Sequence, residues 1–389
     1  MKNVRNTVPS LLLIIVLVGF PQISESIFTP VLPQISLQMN AGAGTSQLTI
    51  SIYFIAFAIG VLFWGQLSDK IGRRSAMLIG IIFYLLGNLG LLISSNFNFL
   101  LVARFIQAFG ASVGSVITQT IMRESFSGIT STKVFSKVGA AMALSPAFGP
   151  LIGGLIQTYL GYKNVFSFLI AMAVVTLLYA YYCLPETIDR KNIQKVSLLK
   201  VTSRLVKDPI VWVYSILIGG INGILFGYYS EAPFIFIKHF HYSSIQYGSL
   251  GLSLALASLL GAILVNFLAK YIKAEYIGLI GLIFSSISAL FLVISLQFNN
   301  SILMIIGFFL IFLGLNTTLP IALNLALKSY EDVIGSAGGL FSFGYYLIVS
   351  GLTYLVSLIH NGTILSLPLF VLSISLIMLL AYLPITQRN

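Results

Sequence analysis

Three residues, Glu25, Arg104 and Glu231, carry full charges well inside long apolar runs of this sequence. A charged side chain at the centre of a membrane span costs at least about 2.5 to 3.5 kcal/mol, so each marks a place where charge is put to use. A carboxylate in a low-dielectric cavity can carry a proton in one conformation and release it in another. A cationic substrate competing for the same oxygens completes a minimal exchange device. Arginine does not deprotonate, so Arg104 is expected to act as a fixed counter-charge, with Glu25 its expected partner. Glu25 lies past Pro21, which is expected to kink the helix, and shares a polar face with Gln22 and Thr29 at i−3 and i+4. Arg104 opens a stripe with Gln107, Ala108, Ala111 and Ser115, small enough for close helix approach. Glu231 precedes Pro233 near Tyr228 and Tyr229, with Lys238 two turns on. It reads equally as a second proton or substrate carboxylate and as a solvated gate-lining residue. The plainer alternatives are a Glu25 hydrated at a cavity mouth and an Arg104 snorkelling to the interface.

The elements that must position these charges are membrane helices. The chain has 389 residues, of which 58% are hydrophobic and only 8% charged, where a soluble domain carries about 25% charged residues. Each span needs about 20 apolar residues, so a chain of this length holds about twelve. The expected spans are Pro9 to Ile35, Gln47 to Trp64, Ser75 to Ile93, Phe99 to Met122, Phe135 to Tyr159 and Val165 to Leu184. The second set runs Pro209 to Ile237, Ile245 to Ala269, Tyr276 to Ser295, Ile302 to Leu325, Gly335 to Ile359 and Ile364 to Leu383. Lys2, Arg5 and the apolar run from Leu11 give the start a signal-peptide look. The run continues through Ile35, which favours an uncleaved first helix. The polar break from Pro185 to Asp208, with Arg190, Lys191, Lys195, Lys200, Arg204 and Lys207, divides the chain into bundles 1–184 and 209–389 joined by a basic linker, 185–208. Of 21 lysines and arginines, all but Arg104, Lys163 and Lys238 fall on one side. That asymmetry places the linker and both termini in the cytoplasm, and it explains the net charge of +11 without nucleic acid.

Enzymatic chemistry finds no footing: no nucleophile, base and orienter stand together, and no phosphate-binding G-x-x-x-x-G-K-S/T run occurs. Energy is therefore expected from a gradient or from a partner, with no cofactor, and the proton gradient is the expected source. The lone Cys183 reads as buried filler, and His239, His241 and His360 are too few and too scattered for a metal site. Further polar or aromatic residues that can line a cavity are Tyr53, Asn222, Tyr229, Asn316, Tyr345 and Tyr346, since aromatic faces stack on planar ligands or hold cations. With 19 tyrosines and 29 phenylalanines in the chain, most aromatics must serve packing.

Two uncharged or loop motifs complete the pattern. The decapeptide Gly65 to Arg74 packs Lys70, Arg73 and Arg74 around Asp69 between two glycines, Gly65 and Gly72, and is expected to be a short turn. In the fifth span, Gly139, Pro146, Gly149, Pro150, Gly153 and Gly154 leave one face almost without bulk and are expected to bend it. The decapeptide resembles the loop between helices 2 and 3 of the major facilitator superfamily, G-x-L-a-D-r-x-G-r-r. Arg104 to Gly110 resembles that family's helix 4 pattern R-x-x-Q-G-x-G, with Ala108 in place of one glycine. Gly149-Pro150-Leu151-Ile152-Gly153-Gly154 resembles the antiporter motif of drug and proton exchangers. Pro30-Val31-Leu32-Pro33, Met122-Arg123-Glu124 and Glu231-Ala232-Pro233-Phe234 resemble the Bcr/CflA drug-resistance branch. That branch usually carries an acidic residue four before the first of these prolines. Here Ser26 holds the position and Glu25 is one step earlier, about 100° around the helix.

The resemblance implies an all-α membrane protein, twelve transmembrane helices in two pseudo-symmetric six-helix bundles, in a bacterial cytoplasmic membrane and acting as a monomer. It implies proton-coupled efflux of small amphiphilic or cationic compounds. Asp69 and Arg73 would latch the loop, with Gly65, Gly72 and Arg74, against the cytoplasmic end of helix 11, and the helix 5 motif would seal the bundles together. Alternatives are a dedicated exporter of a siderophore or metabolite, a proton-coupled nutrient importer, and a receptor that binds without transport.

Overall fold

A long apolar segment in a bilayer can satisfy its own backbone polar groups only as a helix or within a closed barrel. This chain takes the first course: in the computed structural model, which describes residues 8–188 and 197–387, every regular element is helical. The order is α1 (Leu11–Ser26), α2 (Leu32–Gln38), α3 (Ala43–Ile71), α4 (Arg73–Ile93), α5 (Phe97–Ser125), α6 (Gly128–Leu160) and α7 (Lys163–Cys183). After a short α8 (Leu198–Lys207) come α9 (Pro209–Pro233), α10 (Ser244–Leu268), α11 (Ala274–Ser295), α12 (Ser301–Leu325), α13 (Ile334–Ile359) and α14 (Ser366–Gln387). Among the described residues, 11 helical segments are long and apolar enough to cross a membrane. The 33-residue α6 occupies the place of the expected fifth span. Lys2, Arg5, Arg190, Lys191 and Lys195 lie outside the described residues.

Small residues decide which helices touch. Gly87 of α4 is pressed against the backbone of Gln107, and Gly110 of α5 against the backbone of Tyr84. On the other side of α5, Gly60 of α3 meets Ser112 and the carbonyl of Phe109. Residues 104 to 112 of α5 are thereby clamped between two neighbours, which fixes the position of Arg104. The same device joins α11 to α12, where Gly281 and Gly314 each face the other's carbonyl.

Four features differ from the sequence expectation. Helix α1 runs through Pro21, and the first span breaks later, in a tight 3-10 turn over Thr29–Val31 that carries Pro30. The Gly65-to-Arg74 turn shrinks to one residue. Helix α3 continues to Ile71, and only Gly72, at φ 98°, leaves helical geometry, in a region open to glycine. The basic linker contains a helix, α8. Finally, Cys183 is exposed at the end of α7. An apolar run in a membrane protein faces lipid as readily as protein, so apolarity alone did not bury it.

The end of the molecule bearing Asp69, Arg73 and α8 is called the basic end, and the opposite one the far end. The two sets of spans touch most closely toward the far end. Ser350 of α13 donates to the carbonyl of Ser51 at 2.9 Å, and Ser357 to that of Gly44 at 2.7 Å. Gly154 of α6 abuts the carbonyl of Ser244 on α10, while Gly248 abuts that of Pro150. Toward the basic end the contact opens into a cleft of about 360 Å³ between α3 and α13, lined by Ile59, Leu62, Phe63 and Phe343 among others. There Gly335, Gly339 and Gly344 of α13 have open space where a Cβ would point.

Candidate functional site

The centre of the molecule is organised around Arg104, which is wholly buried. Its guanidinium lies between two rings, 4.1 Å from the centroid of Phe28 and 4.3 Å from that of Tyr53. Its edge donates to Gln107 Oε1 at 2.6 Å, and more loosely to the carbonyls of Ser24 at 3.3 Å and Thr49 at 3.4 Å. Gln107 in turn donates to Asn88 Oδ1 at 2.5 Å and Ser24 Oγ at 3.3 Å. These bonds tie α1, α3, α4 and α5 together through one cation. The remaining Nη2 is buried with no hydrogen-bond partner among the described residues.

Glu25 is half-buried and makes no hydrogen bond or close ion pair among the described residues. Its carboxylate feels Arg104 electrostatically, and it acts in turn on the hydroxyls of Tyr53, Tyr229, Tyr345 and Tyr346. Those four rings come from α3, α9 and α13, so the carboxylate sits where both sets of spans face one another. Phe54 packs at a tilt on Phe226, with centroids 4.4 Å apart, and Phe57 meets Tyr346 edge-to-face at 4.9 Å, extending the aromatic wall across the same junction.

At the basic end, Arg73 donates to Asp69 at 2.5 Å, to Ser68 at 2.6 Å and to Glu124 at 2.8 Å. The Glu186 carboxylate accepts from the backbone N–H groups of Arg73 at 2.8 Å and Arg74 at 3.3 Å, satisfying donors that the helix leaves free. Arg74 reaches the carbonyl of Tyr181 at 2.6 Å. Every one of these partners belongs to α3–α7 and the segment just after it. The expected attachment of Asp69 and Arg73 to α13, the eleventh span, is absent among the described residues, because that end is splayed. Arg204 of α8 instead forms an ion pair with Asp332 at 2.9 Å, before α13.

At the far end, Glu231 is almost wholly buried, and its carboxylate accepts from Gln47 Nε2 at 2.5 Å and from His360 Nδ1 at 2.8 Å. Gln47 lies on α3 and Glu231 on α9, and His360 caps α13.

The model of the Major Facilitator Superfamily matches residues 14–354. The chain belongs to this family. An uncharacterized transporter of Rickettsia felis is 36% identical over 368 residues, covering 90% of each chain. The chloramphenicol resistance protein of Pseudomonas aeruginosa is 28% identical over 354 residues, 86% of this chain and 81% of that one. The crystal structure of a D-xylose-proton symporter superposes with a TM-score of 0.78 at 12% identity, over 95% of this chain and 96% of that chain. This last likeness is one of fold.

Within this major facilitator fold the residues singled out from the sequence divide clearly. Glu25, Tyr53, Arg104, Gln107, Tyr229, Tyr345 and Tyr346 converge at the centre. Gln22 is half-buried one turn before Glu25, and Thr29 is buried with no hydrogen-bond partner for its hydroxyl among the described residues. Asn222 and Asn316 donate to carbonyls of their own helices, those of Ile218 and Phe312, and Asn316 packs against Gly261 away from the aromatic junction. In α6, Gly149 and Gly153 press on Ser26, Ile27 and Pro30 of the first span, and Gly154 on α10. Gly139 faces open space. The helix runs unbroken through Pro146 and Pro150, the side chain of Pro146 lying outside the description. Sequence reasoning missed Phe28, Asn88, Gln47 and His360. The long hydrophilic reach of a glutamine in an apolar run was the one available signal for Gln47.

Proposed function

We propose that this major facilitator protein exports small amphiphilic or cationic compounds from the cytoplasm in exchange for protons, with its basic end cytoplasmic. The observation that carries this reading is the placement of Glu25: a carboxylate with no hydrogen bond or close ion pair among the described residues, whose charge acts on tyrosine hydroxyls of both bundles and feels one buried arginine. Deprotonated, it attracts a cationic or polar head group while the aromatic wall takes the apolar body. Protonated, it releases that attraction, so proton and substrate alternate on one site and each drives the other's exit. Arg104 stays charged throughout and limits how tightly the proton is held. The close packing of Gly149 and Gly153 on the first span, and of Gly154 on α10, supports a seal of the far end in the cytoplasm-facing state.

The drug-resistance relative favours an amphiphilic cargo, consistent with the Bcr/CflA-like elements around Pro30, Glu124 and Glu231. The test uses inverted membrane vesicles with an acid interior, a pH-sensitive dye, and two probes, tetraphenylphosphonium and chloramphenicol. The expected result is that a probe drains the gradient in the wild type and not in Glu25→Gln. If neither probe drains it in the wild type, export of amphiphilic drugs is wrong. If a compound accumulates with the proton rather than against it, the exchange direction is wrong.

A further inference from the structure

The far-end cluster of Gln47, Glu231 and His360 does something different from the central site. Glu231 is 1% exposed, the imidazole beside it only 12%, and both carboxylate oxygens lie 2.8 Å from His360 Nδ1. Gln47 donates its amide N–H to the same carboxylate while its own Oε1 stays buried without a partner among the described residues. The contact forms with Nδ1 donating to an ionised carboxylate or with a carboxylic acid donating to Nδ1, and the neutral pair holds the same number of protons either way. A neutral imidazole beside an ionised carboxylate would leave this sealed pocket with one uncompensated negative charge, which is strongly disfavoured away from water. An imidazolium would leave it neutral.

The surroundings offer no other compensation at contact distance. Residues 43–52 of α3 and all of α2 bring no titratable side chain. On the α9 side the neighbours are Tyr228, Tyr229 and Lys238, the last held over the Phe234 ring at 5.1 Å, with that ring 5.5 Å from the imidazole. His239 is turned to Asn299, α10 contributes Tyr247, and Tyr354 of α13 is exposed.

We propose that Glu231 and His360 form a second proton-binding site, distinct from Glu25, that takes a proton from the outer medium as the far end closes. Closing buries the pair, burial requires it to be neutral, and the proton that neutralises it is held between the carboxylate and the imidazole. Gln47 transmits this to the other bundle, because its N–H bond to the carboxylate is available only when α3 and α9 meet. Opening returns the pair to water and the proton to the outer side. Acid outside therefore favours the sealed, cytoplasm-facing state, the direction in which an exchanger must return after releasing cargo. The outward assignment of the far end rests on the orientation proposed above; the role of Glu25 does not enter.

The test is double electron–electron resonance on the full-length protein in nanodiscs, with Cys183→Ser and spin labels at Leu37 and Phe298, both exposed near the far end. All measurements use the Glu25→Gln background, so titration of that carboxylate is absent and no substrate is added. The ratio of short to long distances should rise at least about fivefold between about pH 8 and about pH 5.5. Glu231→Gln with His360→Gln, which keeps amide donors and acceptors but leaves no group there that can take up a proton, should remove that dependence. His360→Lys, charged at both pH values, should stay in the short-distance state throughout and shows that the labelled protein folds and closes. A pH response that survives the Glu231→Gln, His360→Gln double replacement, or its absence in the parent background, overturns the proposal. Failure of drug exchange in the vesicle assay would leave this result standing.

Discussion

A single buried cation holds four helices and leaves one edge free. Arg104 spends its flat faces on Phe28 and Tyr53 and its edge on Gln107 and two carbonyls, a set of contacts that needs a planar, forked group. Arg104→Lys keeps the charge but loses the stacking and the fork. It should lower probe-driven proton exchange by at least about tenfold while leaving the protein folded, as read by the vesicle dye assay and by size-exclusion chromatography. Arg104→Ala should do worse, leaving Gln107 Oε1 without its donor in a buried site. The central charges were legible in the sequence because charge inside an apolar run is costly and therefore conspicuous. The far-end cluster was not legible. Gln47 is uncharged and His360 lies past a helix end, and the contact joins positions 184 and 129 residues from Glu231. No local pattern encodes a meeting at that separation.

At the level of helices, small residues rather than polar ones decide the joins. A side chain at Gly153 would run into the carbonyl of Ile27 and the ring of Pro30, whereas one at Gly139 meets nothing. Gly153→Val should therefore cost about 1–3 kcal/mol by overpacking, seen as a lowered melting temperature in detergent. Gly139→Ala should leave that temperature unchanged or raise it slightly. Span positions and the glycine-rich face of α6 could be read directly from apolar run length and residue size. The 3-10 turn at Thr29–Val31 and the helical stretch from Gly65 to Ile71 could not. The first depends on how the span packs against α6 and α10, and the second on α3 extending past its apolar run.

For the whole molecule, the pattern of contacts describes one state of a rocking cycle. The far end is shut by Ser350 on Ser51 and Ser357 on Gly44, and the basic end is parted between Leu62 and Phe343. A disulfide joining cysteines at positions 51 and 350, in a Cys183→Ser background, should stop transport, and reducing agent should restore it. Transport that continued through the cross-link would show that the far end need not open. The pair of six-span bundles was foreseeable from the resemblance, but the end at which they close in this structure was not. Which end is closed depends on the balance of many weak contacts, each visible only once helices are placed.

The central claim is that one carboxylate serves proton and cargo in turn, and proton release on binding tests it most directly. Purified protein in weakly buffered detergent solution is mixed with tetraphenylphosphonium, with free protons followed by a pH dye and binding by calorimetry. The account predicts that the wild type releases up to about one proton for each cation bound, and that Glu25→Gln, which mimics the protonated carboxyl, binds the cation more weakly and releases no proton with what it binds. Equal release from the Glu25→Gln protein, or binding to the wild type with no release at any pH, would contradict it.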